Sequence, residues 1–141
     1  MKIHARTLMV VAGLLLAAAV VTNAQTTNTV TDVAFEFTVG TTTLPRDSYE
    51  VTRITGQSGA FLIRGARRGV VVISQPEGPS ATDNSPRLVF HRYNDRYFLR
   101  EVRLPGNNGF RLPKTSAEVD AAEQLAAGVT HDVVSVRTRP E

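Results

Sequence analysis

The chain has 141 residues, 42% of them hydrophobic and 21% charged, with no Cys, no Trp and a formal charge of +3. That apolar fraction excludes a wholly disordered chain, and the missing Cys excludes a disulfide scaffold, a thiolate nucleophile and any thiolate metal site. The basic pI of about 9.8 raises nucleic acid as a partner, a reading tested below.

Lys2, His4 and Arg6 precede an unbroken apolar run from Leu8 to Val21, and Thr22-Asn23-Ala24 then offers the small residues a signal peptidase reads. Residues 1–24 are therefore expected to be a cleavable signal peptide. As a helix the run would reach only roughly 21 Å at 1.5 Å per residue, short of a ~30 Å hydrocarbon core. No Cys stands near the cleavage point for a lipid anchor. The expectation is an exported protein, periplasmic or extracellular, with no membrane span after cleavage. Loss of Lys2 and Arg6 brings the remaining charge from +3 to +1, and every basic residue left except Lys114 is Arg. A domain of this size buries roughly 65% of its unfolded surface, enough for one core without disulfides or metal.

Residues 25–32 read as a polar, flexible leader to a single β-rich domain over 33–137. Val33, Phe35, Phe37 and Val39 alternate with Ala34, Glu36 and Thr38, the signature of one half-buried strand. Thr43 to Ser48 carries turn chemistry, and Tyr49 to Ile54 reads as the next strand. After Gly56-Gln57-Ser58-Gly59, the runs Ala60–Arg64 and Val70–Ser74 form a hairpin around a Gly-containing loop. Gln75 to Pro86 reads as the longest surface loop.

Leu88 to Leu104 predicts two strands around Asn94-Asp95. A two-residue loop pairs Tyr93 with Arg96, Arg92 with Tyr97, His91 with Phe98 and Phe90 with Leu99. Leu88, Phe90, Arg92, Tyr97, Leu99 and Glu101 then share one face, and Val89, His91, Tyr93, Phe98, Arg100 and Val102 the other. Both faces are partly apolar, so something must cover each. The cover is a short helix at about 116–127: Thr115-Ser116-Ala117-Glu118 fits a capping box in which hydroxyl and carboxylate satisfy each other's amides. Val119, Ala122 and Leu125 or Ala126 supply its apolar side, and Gly128 ends it. Val129 to Arg137 returns to strand chemistry and is expected to close the sheet against the first strand, leaving 138–141 as a tail. The fold class expected is all-β: a small antiparallel barrel or sandwich of about seven strands with one short C-terminal helix.

Arg87, Arg92, Arg96, Arg100 and Arg103 alternate with Tyr93, Tyr97 and Phe98, a mixture that binds single-stranded nucleic acid elsewhere. Here the arginines divide between both faces and are interspersed with Asp95 and Glu101, so ion pairs and cation–aromatic contacts account for them and nucleic acid is set aside. Beyond the signal only His91 and His131 remain as imidazoles, which gives no metal site unless the last strand lies beside Leu88–Tyr93. Ser58 lacks a nucleophile elbow, no two of Glu36, Glu50 and Glu101 are singled out as a carboxylate pair, and Leu112-Pro113-Lys114-Thr115-Ser116 departs from a sortase signal at its last residue. No catalytic residue, cofactor or metal ligand is expected.

Two binding readings survive. Phe35, Phe37, Phe61, Phe90 and Leu99 would line a barrel interior, either filling it or enclosing a small apolar ligand. A lipocalin-type carrier would need a Trp that the chain lacks. Alternatively the surface recognises a partner, through His91, Tyr93, Tyr97, Phe98 and Arg100 or through an unpaired strand edge.

The segments Phe35-Glu36-Phe37-Thr38-Val39-Gly40, Thr43-Leu44-Pro45 with Tyr49-Glu50-Val51, Leu88 to Leu99, and Leu112-Pro113-Lys114-Thr115 resemble a group of small exported β-rich bacterial proteins common in acidobacteria. Arg46-Asp47 departs from the small residue and Gly expected there, although Asp fits such a turn. The resemblance implies export and a β fold and carries no activity. The function expected is a non-enzymatic binding or structural module outside the cytoplasm, with the apolar-ligand carrier as the alternative.

Overall fold

The computed structural model describes residues 28–54, 56, 59–78, 85–105, 108–125 and 131–140. The expected signal peptide, residues 79–84 of the expected Gln75–Pro86 loop, Ser58 and Gly128 lie outside them. The described strands are β1 (Asn28–Val33), β2 (Phe37–Val39), β3 (Thr42–Leu44), β4 (Asp47–Arg53), β5 (Ala60–Arg64), β6 (Gly69–Ile73), β7 (Gln75–Glu77), β8 (Arg87–Tyr93), β9 (Arg96–Leu104), β10 (Asn108–Arg111), β11 (His131–Arg137) and β12 (Arg139–Pro140). Among the described residues one helix, α1 (Ser116–Gln124), stands between β10 and β11. The molecule is all-β with a short helix, as the residue pattern implies. No described helix is long and apolar enough to cross a membrane.

Two sheets form the fold. The first runs β12-β1-β4-β5-β6, and the second runs β11-β8-β9-β10-β7 with β2 and β3 joined to it. Among the described strands pairing is antiparallel except for β2 on β9, which meet at Thr38 and Phe98. The free side of β9 is shared: β10 takes its C-terminal half and β2 its N-terminal half.

Several expectations need correction. The alternating segment 33–39 is two strands in different sheets, because the chain leaves the first sheet at 34–36 and β2 enters the second. Residues 28–32, expected as leader, belong to β1, where Thr29 and Thr31 are buried. The tail pairs too: β12 lies on β1, with Arg139 3.1 Å from Asp32. The Asp32 carboxyl is held below its usual range by the Ser48 hydroxyl first and by Arg139 second. The expected closing strand, β11, lies on β8 rather than on β1. Short β3, β7 and β10 raise the strand number well above seven, since three- and four-residue runs carry too little periodicity to announce themselves.

Aromatic rings lock the sheets together. Phe90 of β8 meets Phe37 of β2 edge-to-face at 5.1 Å, and Phe37 meets Tyr49 of β4 in the other sheet at 5.2 Å. Phe61 of β5 meets Phe110 of β10 the same way at 4.8 Å. Each such pair adds about 0.5–1.5 kcal/mol beyond the area it buries. The residues expected to line a cavity, Phe37, Phe61, Phe90 and Leu99, thus pack against one another, with Phe35 half-buried beside Phe90. Tyr49 keeps its hydroxyl satisfied by donating to the Pro45 carbonyl.

Gly59 is required by its backbone. Its φ is +76°, and a Cβ there would sit 2.2 Å from the Ser74 carbonyl oxygen. That proximity lets Ser74 N–H donate to the Gly59 carbonyl at 2.8 Å and close the β5–β6 pair.

Phe90→Ala is expected to cost about 3–5 kcal/mol, because a ring touching two others leaves a cavity that rigid neighbours cannot refill. Gly59→Ala is expected to destabilise well beyond Gly40→Ala, which has a φ of +59° and open space around it. Urea unfolding followed by circular dichroism measures both.

Candidate functional site

The β8–β9 hairpin carries the predicted surface. Its register near the turn agrees with the sequence pattern: Tyr93 opposes Arg96, Arg92 opposes Tyr97, His91 opposes Phe98 and Phe90 opposes Leu99. Asn94 takes a φ of 53° at the turn, a conformation Asn tolerates better than most residues. Beyond Phe90 the register slips, so that Val89 opposes Glu101 and Leu88 opposes Val102. Arg100 is the unpaired extra residue of a β-bulge. The bulge moves Val102 onto the core face with Leu88, while Arg100 keeps the outer face that alternation with Phe98 gives it. Leu112 N–H donates to the Arg100 carbonyl at 2.8 Å, which fixes the bulge and delivers the chain to α1.

Helix α1 then covers this face. Thr115 caps it by accepting from Glu118 N–H at 3.2 Å. The other half of the expected capping box does not form, because the Glu118 carboxylate turns inward. Tyr93 donates its hydroxyl to Glu118 Oε1 at 3.1 Å, and the Arg100 guanidinium donates to Oε2 at 3.3 Å. His91 Nδ1 lies 3.5 Å from Oε1. Glu118 is 1% exposed and Arg100 8% exposed, so this is a buried ion pair flanked by a phenol and an imidazole. Tyr93 and Phe98 pack with Ala121 and Leu125 around it. Burial first and the neighbouring Glu118 charge second push the Tyr93 phenol above its ordinary pKa.

The five predicted site residues therefore do not form one accessible surface. Tyr93, Phe98 and Arg100 are buried under α1, and His91 is half-buried at its margin. Tyr97 points to the opposite side, where its ring stacks on Phe35 at 3.9 Å and the Arg92 guanidinium lies over it. The residue that organises the cluster, Glu118, was missed as a site residue. Its place at the third helical position explains it fully as a cap, and only the inward turn of its carboxylate reveals the second role. Val119, expected on the buried side of the helix, is 42% exposed for the same reason: Glu118, Ala121 and Leu125 take that side.

The arginines expected to be explained locally are engaged within the domain. Arg103 pairs with Glu101 at 3.0 Å and with Glu77 at 3.8 Å, Arg111 joins both carboxylates, and Arg96 lies over Phe98. The last strand does lie beside Leu88–Tyr93, with His131 opposite Tyr93 and Val133 opposite His91, so the two histidines are offset along the register and not directly opposed. Among the described residues no group of three or more His, Cys, Asp or Glu could hold a metal.

A second feature opens on the surface. A groove of about 250 Å³ runs along β6, walled by Val70 to Ile73 on one side and by Val39 to Thr42 with Leu112, Pro113 and Thr115 on the other. Beside it Val71 is 57% and Ile73 73% exposed. Among the described residues β6 ends its sheet, so the groove lies beside a strand edge. Comparison of the chain with protein-family models, with curated proteins and with solved structures returned no match.

Two outcomes follow from the cluster. Glu118→Ala should cost about 3–5 kcal/mol, because it strands the Arg100 charge in the interior, and joining it to Arg100→Met should restore most of the loss. A double-mutant cycle by urea unfolding reads the coupling. Secondly, Tyr49 and Tyr93 hold their protons more tightly folded than unfolded. Their stabilising contribution is complete below the unfolded value of about 10 and is lost as pH rises above it toward the folded values. Tyr93→Phe should flatten that alkaline decline, measured as the midpoint of urea unfolding against pH.

Proposed function

We propose that this chain is an exported β-domain that acts by recognising another molecule at its surface, in the periplasm or outside the cell, and not by catalysis. Export rests on the N-terminal segment, with its basic start, apolar run and Thr22-Asn23-Ala24 boundary. The observation that carries the recognition reading is how the domain uses its side chains. The His91, Tyr93, Arg100 and Glu118 cluster is spent on docking α1, while the interior phenylalanines are spent on one another. The groove along β6 and its exposed Val71 and Ile73 are left facing outward.

The alternative, a carrier of an apolar molecule inside the barrel, predicts a different behaviour in solution. Purified protein extracted with organic solvent should release no stoichiometric lipid, and titration with an environment-sensitive apolar dye should show no saturable uptake that Phe90→Ala alters. Stoichiometric lipid, or a saturable site sensitive to Phe90, would replace surface recognition by carriage. N-terminal sequencing of protein recovered from outside the cytoplasm should begin at Gln25.

A further inference from the structure

We infer that β6 is a docking edge for an extended segment of a partner protein, which adds to the first sheet as its next strand. The inference rests on the surface-recognition reading and names the kind of partner. Strand β6 ends the sheet order β12-β1-β4-β5-β6. Ser74 N–H donates to the Gly59 carbonyl and Gly65 N–H to the Arg68 carbonyl. In an antiparallel ladder these bonded pairs recur at every second residue, so Val70 and Val72 bond to β5. The N–H and C=O groups of Gly69, Val71 and Ile73 consequently point away from the sheet. They are the donors and acceptors that an added strand uses.

Edges of this kind are ordinarily blunted by proline, charge or brevity. The other described edges are: β12 contains Arg139 and Pro140, β7 contains Pro76 and Glu77, β11 contains Asp132 and Arg137, and β3 has three residues before Pro45. Strand β6 reads Gly-Val-Val-Val-Ile, with no proline and no charge.

The surroundings define the occupant. A strand laid on β6 sends alternate side chains to opposite faces. Those on one face enter the 250 Å³ groove against Val39, Val72 and Leu112, and those on the other lie beside Val71 and Ile73. Both faces call for apolar residues. The start of β6 is basic, with Arg67 and Arg68 exposed at the turn, and Lys114 is exposed within the 112–115 segment that forms the far wall. Asp47, the carboxylate that reaches the turn, is occupied by the Ser48 and Ala66 amides. The partner segment is therefore extended, apolar on both faces and acidic at the end that meets Arg67 and Arg68. A second copy of β6 paired about a two-fold axis would run antiparallel and set its own arginines at the far end of the strand, leaving Arg67 and Arg68 without a carboxylate.

The test uses the signal-free chain and a fluorescein-labelled peptide of two aspartates followed by four valines broken by one central threonine, read by fluorescence anisotropy. Saturable binding is expected. An otherwise identical peptide N-methylated at alternate amides on the pairing side should fail to bind. Val71→Pro removes an outward N–H and no ladder bond, so it should keep the unfolding midpoint near that of the parent and weaken binding about tenfold or more. Ile73→Lys provides the same loss by charge should the proline disturb the strand. Arg67→Glu with Arg68→Glu should weaken binding about tenfold and abolish its dependence on the peptide's aspartates. Absence of saturable binding, equal binding of the N-methylated peptide, or insensitivity to Val71→Pro and Ile73→Lys together overturns the docking edge. So does a concentration-dependent dimer in light scattering that Val71→Pro dissolves, which assigns the edge to a second copy. Any of these results with the dye titration still negative removes the edge alone and leaves surface recognition standing, whereas saturable apolar uptake removes both.

Discussion

The fold depends on aromatic rings held edge-to-face between two sheets. With no Cys in the chain, nothing covalent ties β4 and β5 to β2, β8 and β10, so the contacts of Phe37 with Tyr49 and of Phe61 with Phe110 must do so by burial and ring geometry. This constraint shapes the path of the chain. Phe37 can stand on the second sheet and still touch Tyr49 on the first only because the backbone leaves β1 at 34–36 and resumes as β2 beside β9. The same crossing places Phe35 between Phe90 and Tyr97. The interior is consequently built of interlocked side chains and has the character of a packed sandwich more than of a vessel.

The second sheet has a further problem, since the outer face of its β8–β9 hairpin is also apolar. Helix α1 solves it with a narrow stripe of alanines and Leu125, too little area to hold a nine-residue helix alone. The buried Glu118–Arg100 pair supplies position. Burying two charges gives back little net stability even when they meet well, and its value lies in allowing one arrangement of helix on sheet. Alternation from Phe98 sets Arg100 toward the helix, and the β-bulge returns Val102 to the core directly after it. Polar groups that looked available for chemistry are in this way committed to architecture, and the open surface is displaced to β6 on the other sheet.

Local pattern made much of this legible. The hairpin turn at Asn94-Asp95, the first four cross-strand pairs, the β5–β6 hairpin, the Thr115 cap and the apolarity of both hairpin faces were all readable, because alternation, turn residues and capping residues act over a few positions. The candidate site was legible in its parts and not in its assembly. His91, Tyr93, Phe98 and Arg100 were rightly grouped on one face. A covering helix is legible too, but which of the two hairpin faces it takes is not, because that depends on where a segment distant in the chain arrives. Tyr97 does not belong to the group, because its register sets it on the opposite face with Arg92, Phe90 and Leu99.

The sequence by itself determined the all-β class, the near-neutral charge left after residues 1–24, the want of covalent cross-links and the local hairpins, since each is a property of composition or of residues within a turn of one another. Only the tertiary structure decided that an unbroken alternating run serves two sheets, that Glu118 turns from its own cap to Arg100, that β11 lies on β8, and that β6 ends the order of the described first sheet. These follow from which surfaces find each other when the whole chain buries its apolar area at once, and no window of neighbouring residues contains that information.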